Sequence, residues 1–112
     1  MSRGVDEDLL FRALADPVRR LLLDRLRADP GQTLGALVEG VPMSRQAVSK
    51  HLAVLEAANL VAVVRRGREK LHYLNPVPIQ QIAARWIGAF ERERVAALVE
   101  LKAQLESEDG EA

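Results

Sequence analysis

"VPMSRQAVSKHLAVLEAANLVAVVRRGREKLHYL", residues 41–74, is the stretch from which the fold can be read. Ser44 opens a helix, because a serine hydroxyl at that position accepts a hydrogen bond from an otherwise unpaired amide of the first turn. At about 100° per residue, Val48, Leu52 and Leu55 gather on one side as a core face. Gln46, Lys50 and Ala53 lie opposite, with Arg45 and Ser49 on the flank. The helix is expected to reach about Ala58. After Asn59 the period changes: "LVAVVRR" is rich in β-branched residues, "GRE" offers a turn, and "KLHYL" returns as a second strand.

The same stretch is where positive charge collects. Equal numbers of basic and acidic side chains, 16 of each, give the chain a formal net charge of zero. Residues 1–43 carry six Arg against seven acids, and residues 74–112 carry four basic side chains against seven acids. Residues 44–73 carry Arg45, Lys50, Arg65, Arg66, Arg68 and Lys70 against only Glu56 and Glu69, an excess of four positive charges. A local excess matters more than the total when the partner is a polyanion.

Working outward, residues 6–15, "DEDLLFRALA", form a short amphipathic helix with Leu9, Leu10, Ala13 and Leu14 at helical spacing. Asp16 and Pro17 restart the helix, one as N-cap and the other as the N1 residue that needs no N–H. Val18, Leu22 and Leu26 share a face up to about Ala28, where "DPGQ" closes the helix. Thr33 caps a short third helix carrying Leu34, Leu37 and Val38, which Gly40 ends. Two short helices joined by a tight connection form a helix-turn-helix pattern. Beyond Pro76 and Pro78, a last helix is expected from Ile79 to about Leu105, with an apolar stripe that includes Ile82, Trp86, Phe90, Leu98 and Leu101. At 1.5 Å per residue it would be roughly 40 Å long, more than so small a core can cover. The acidic "ESEDGEA" end reads as a disordered tail, 107–112, after a single domain over 1–106.

These patterns exclude several classes. With 112 residues, nearly half of them apolar, the chain suits one folded domain with one modest core. Cysteine is absent, so there are no disulfides, thiolate ligands or cysteine nucleophiles. The acidic start MSRGVDEDLL lacks a signal-peptide pattern and no apolar run is long enough to span a bilayer, so a cytoplasmic location is expected and no membrane partner. An enzyme is not expected either. Ser49 and His51 are two apart on one helix and point in different directions, and no phosphate-binding Gly loop appears.

A DNA-reading surface fits better. Arg pairs with guanine, Gln with adenine, and Ser adapts to either, while Ala53 lets a helix approach closely. The front of the second helix of a helix-turn-helix enters the major groove, which is where these side chains concentrate. Four cations at a hairpin tip repel one another, and folding alone gives no reason for them. A phosphate backbone does, because each neutralised phosphate releases condensed counterions.

Residues 14–26, "LADPVRRLLLDRL", residues 44–61, "SRQAVSKHLAVLEAANLV", and the basic hairpin resemble the ArsR family of winged helix-turn-helix repressors. The resemblance covers about residues 9–75, and its order of elements accounts for the whole chain. It implies a mainly α fold with a small β-hairpin, as a homodimer bound to a pseudo-palindromic double-stranded DNA operator. The recognition helix would contribute Ser44, Arg45, Gln46, Ser49, Lys50 and His51, and the wing Arg65, Arg66, Arg68 and Lys70. First and last helices would pair across the two-fold axis, with Phe11, Trp86, Phe90, Leu98 and Leu101 at the interface. For Trp86 and Phe90, packing in the core of the single chain is the alternative expectation. Many relatives sense metals through thiolates or through His and carboxylate pairs. Here the third helix has no Cys and the last helix no His, so no cofactor and a metal-independent member are expected. The resemblance implies a repressor of its own operon, with the inducing ligand unidentified. An activator or a winged helix turned protein-docking module is the alternative.

Overall fold

Each of the first four helices starts at a short polar side chain that caps it. In the computed structural model, Asp6 accepts from the amides of Asp8 and Leu9 and opens α1 (Glu7–Leu14). Asp16 accepts from Val18 at 2.8 Å and Arg19 at 3.3 Å and opens α2 (Pro17–Ala28), with Pro17 in its first turn. Thr33 caps α3 (Leu34–Val38) through the Ala36 amide, and Ser44 caps α4 (Arg45–Ala57) through the Ala47 amide. Each oxygen satisfies a donor that the helix itself leaves open. The strands β1 (Val61–Arg66) and β2 (Glu69–Leu74) follow, and then the long helix α5 (Val77–Glu111). The structure describes residues 6–111, with side chains to residue 107. The leading MSRGV and the final residue of the acidic end lie outside the described residues.

The chain divides into two compact units, one ending at Pro78 and the other starting at Ile79. In the first, Leu10, Leu22, Leu26, Leu37, Val48, Leu55 and Leu60 are at most 1% exposed and form the core. Burying each such side chain contributes on the order of 1.5–3 kcal/mol. The three leucine and valine positions read as the core face of α4, Val48, Leu52 and Leu55, are all buried there.

The end of α4 turns on Asn59. Its φ of 62° is the left-handed conformation. The Leu60 amide reaches back to the Leu55 carbonyl and the Asn59 amide to Glu56, both at 2.9 Å. This is the Schellman arrangement, and it sends Leu60 into the core as β1 begins. The hairpin is antiparallel, with Val61 opposite Leu74 and Arg66 opposite Glu69. Only Gly67 and Arg68 separate the strands, and Gly67 has a positive φ of 64°, as the first central residue of a II′ turn requires.

Two long-range fixtures were not visible in the sequence pattern. The amide of His72 donates to the Gln32 carbonyl, and the Gly31 amide to the His72 carbonyl, so a fragment of the α2–α3 connection pairs with β2. His72 is 5% exposed, and its Nδ1 also lies 2.9 Å from the Gln32 carbonyl. Arg25 sends one guanidinium nitrogen to the carbonyls of Leu37 and Glu39 and the other to Ala36, closing the C-terminus of α3.

The helix α5 begins at Val77, two residues before the second unit, and is helical through Glu111, beyond the expected end at Leu105 and through the stretch read as a tail. Trp86 and Phe90 are 52% and 59% exposed in the single chain.

Asn59 generates a direct test. A side chain with a Cβ other than Asn costs about 1 kcal/mol or more in the left-handed region, and Gly costs nothing sterically. Asn59→Ala should therefore destabilise the protein by about 1 kcal/mol in urea unfolding, and Asn59→Gly should leave the midpoint within about 0.3 kcal/mol of wild type.

Candidate nucleic-acid interface

α3 and α4 make the helix-turn-helix, joined through Glu39–Ser44. The core side of α4 fixes which residues face out. Ser44, Arg45, Gln46, Ser49 and Lys50 are exposed, as is Ala53, so the polar face expected from the wheel is a real surface. His51 departs from that group. It is half-buried, and its Nδ1 lies 3.2 Å from Nη1 of Arg19 on α2.

The wing cations Arg65, Arg66, Arg68 and Lys70 are all exposed. Register makes their arrangement costly: Arg65 sits directly opposite Lys70, and like charges facing across strands destabilise a hairpin. Arg66 faces Glu69, which offsets part of that repulsion.

Helix and wing meet around a cavity of about 470 Å³ between α3, α4 and β2. Arg45, Ser49 and Glu56 line it from α4 and Arg68, Glu69 and Lys70 from the wing, with Leu52 and His72 also on its walls. The structure thus brings two recognition-helix residues and two wing residues of the sequence reading onto one concave surface. Ser44, Gln46, Lys50, His51, Arg65 and Arg66 are not part of that lining. Among the described residues, no group of three or more His, Asp or Glu is placed to hold a metal ion.

Arg19 was missed by the sequence reading. Its Nε donates to the Ala13 carbonyl at 2.8 Å and Nη2 to the Arg12 carbonyl at 2.9 Å, so it closes the end of α1 while reaching His51 on α4. Asp16 lies 3.8 Å from Nη1 of the same guanidinium. Burial pushes the Asp16 carboxyl up, but the amides of Val18 and Arg19 and the Arg19 charge outweigh it and hold the carboxyl below its ordinary value. The "DPVRR" motif was the available signal, because an arginine three residues after an N-cap returns to the cap.

The five residues expected at a dimer interface are exposed in the single chain: Phe11 on α1, and Trp86, Phe90, Leu98 and Leu101 on α5.

A family model described as a helix-turn-helix domain matches residues 14–64. The chain is 36% identical over 88 residues to the uncharacterized HTH-type transcriptional regulator YuzN of Bacillus subtilis, covering 73% of this chain and 96% of that one. It is 32% identical over 71 residues to the transcriptional repressor SdpR of Bacillus subtilis, covering 63% and 78%. The solved ArsR-like transcriptional regulator from Rhodococcus sp. RHA1 superposes with a TM-score of 0.65 at 34% identity, over 84% of this chain and 90% of that one. This chain belongs to the ArsR family. As an ArsR-family member it is a DNA-binding transcriptional regulator with a winged helix-turn-helix fold, and the family is not an enzymatic one. Among the described residues, no helix is long and apolar enough to cross a membrane.

The lowered Asp16 carboxyl has a consequence for acid stability. A depressed folded-state pKa means the ionised form is favoured by folding, so its contribution is complete above the ordinary value of 3.8 and is lost as pH falls below it. Asp16→Asn keeps a competent N-cap but has nothing to titrate. Thermal midpoints measured from about pH 5 to about pH 2.5 should fall less steeply for the variant than for wild type.

Proposed function

We propose that the chain is a homodimeric, metal-independent repressor of its own operon, acting on double-stranded DNA with a pseudo-palindromic operator. The observation that carries this reading is the single concave surface on which Arg45 and Ser49 meet Arg68 and Lys70. The recognition set is Ser44, Arg45, Gln46, Ser49, Lys50 and His51, with α4 in the major groove, and the wing set is Arg65, Arg66, Arg68 and Lys70. The similarity to SdpR, a transcriptional repressor, supports repression rather than activation. The lack of cysteine and the lack of a clustered metal-ligand group among the described residues support metal independence.

Dimerisation follows from the apolar surface that one chain leaves in water. Phe11 on α1 and Trp86, Phe90, Leu98 and Leu101 on α5 are the anchors of the pairing, which makes residues 1–106 one winged helix-turn-helix domain with dimerisation helices at both ends. Residues 107–112 are an acidic extension outside that interface. The protein acts in the cytoplasm, where its operator is.

The deciding experiment is a fluorescence anisotropy titration against DNA from upstream of the gene, beside a random duplex, with and without a chelator. Tight binding to the upstream DNA alone, at two chains per site and indifferent to chelator, is the expected outcome. Equal and weak binding to both duplexes would overturn the reading.

The two DNA-facing sets should behave differently on mutation. Gln46→Ala with Ser49→Ala removes base-edge partners worth about 1–3 kcal/mol each, so the preference for operator over random DNA should shrink by at least about thirtyfold. Arg66→Ala with Arg68→Ala should weaken binding to every duplex alike, and because two chains bind each site the slope of log affinity against log salt should fall by about 4.

A further inference from the structure

Arg19 and His51 come from different helices, and the chemistry of the contact between them fixes where one hydrogen must lie. A guanidinium is protonated at any ordinary pH and can only donate. Nη1 of Arg19 therefore donates to His51 Nδ1 across the 3.2 Å between them, and Nδ1 carries no hydrogen of its own. The ring is then the neutral tautomer with its hydrogen on Nε2, the nitrogen turned away from Arg19. That Nε2 has no hydrogen-bond partner among the described residues. Among the described residues no buried side-chain nitrogen or oxygen lacks one, and His51 is only half-buried, so Nε2 reaches solvent.

The guanidinium is held from several sides. Its Nε and Nη2 are committed to the Ala13 and Arg12 carbonyls, Asp16 flanks Nη1, and the side chain is only 14% exposed. One residue of α2 thereby joins the end of α1, the start of α2 and the face of α4.

We infer that Arg19 is a positioning residue for the DNA interface: it holds His51 as the Nε2–H tautomer, so that α4 presents one fixed hydrogen-bond donor to a phosphate oxygen of the DNA backbone. The inference rests on the DNA-binding surface proposed above and adds a residue that lies outside it. It also assigns His51 a role distinct from its neighbours. Gln46 and Ser49 offer adaptable groups to base edges, whereas the ring of His51 offers a single donor in a set direction, which positions a protein on DNA without reading sequence.

The test combines a spectroscopic readout with binding. Long-range ¹H–¹⁵N spectra of ¹⁵N-histidine-labelled protein at neutral pH distinguish the two neutral tautomers and the doubly protonated ring. Wild type should show the Nε2–H pattern for His51. Arg19→Lys keeps the charge and loses the planar fork, and Arg19→Gln loses both; each should give a mixture of tautomers and weaken operator binding about three- to tenfold, with circular dichroism confirming that the variants are folded. His51→Gln supplies a comparable donor without needing an acceptor on the other side. It should weaken binding by itself, but Arg19→Lys added to it should cost less than a further twofold.

A wild-type ring with its hydrogen on Nδ1, or on both nitrogens, overturns the inference, and so do Arg19 and His51 substitutions whose effects on affinity simply multiply. The companion reading fails differently. Wild-type protein with the Nε2–H signature that binds no DNA would overturn the regulator function and the phosphate contact together, leaving only the tie between the two side chains.

Discussion

The pairing of Gln32 with His72 is the constraint on which the placement of the wing depends. A two-stranded hairpin alone is marginal in water, and this one also carries like charges at its tip. Two backbone hydrogen bonds and the His72 ring fasten β2 to the α2–α3 connection, and the Asn75 amide donates to the Leu60 carbonyl at the open end of the hairpin. Because the same connection leads into α3, the wing and the helix-turn-helix share one anchor. The burial of His72 follows from this position: its ring sits where a polar group is tolerated only because a backbone carbonyl receives it.

That anchoring lets the surface carry repulsion. Arg65 opposite Lys70, with Arg66 and Arg68 beside them, is an arrangement that opposes folding of the hairpin, while the core leucines of the first unit and the pairing with Gln32 hold it in place. Function at the tip is thus carried by stability generated elsewhere in the same unit. The polar face of α4 works the same way, since Val48, Leu52 and Leu55 determine how the helix is rotated and hence what faces out.

Much of this was legible in the residues because it is local. Asp16, Thr33 and Ser44 announce helix starts through their own side chains, and β-branched residues followed by a Gly turn announce the hairpin. The exposed face of α4 follows from arithmetic on the helix period. What escaped was made by single long-range bonds. Arg25 reaching α3, Arg19 reaching His51 and Gln32 meeting His72 leave no periodic trace, because each depends on where two distant segments meet in space. The extent of α5 escaped for the opposite reason. Residues 101–107 are all exposed, so no buried face creates a pattern there, and the helix continues to Glu111. Trp86 and Phe90 were open to two readings because an apolar stripe does not reveal what covers it, and both are exposed in the single chain.

Arg25 has a consequence for the persistence of α3. A helix of five residues is too short to persist through its own hydrogen bonds, since nucleation costs more than so few bonds return. The carbonyls of Ala36, Leu37 and Glu39 are held by one guanidinium whose stem belongs to α2, and the Leu37 side chain is fully buried in the core. The first helix of the helix-turn-helix thus takes its persistence from its neighbours, through a clasp on its backbone and one buried leucine, rather than from its own hydrogen bonds.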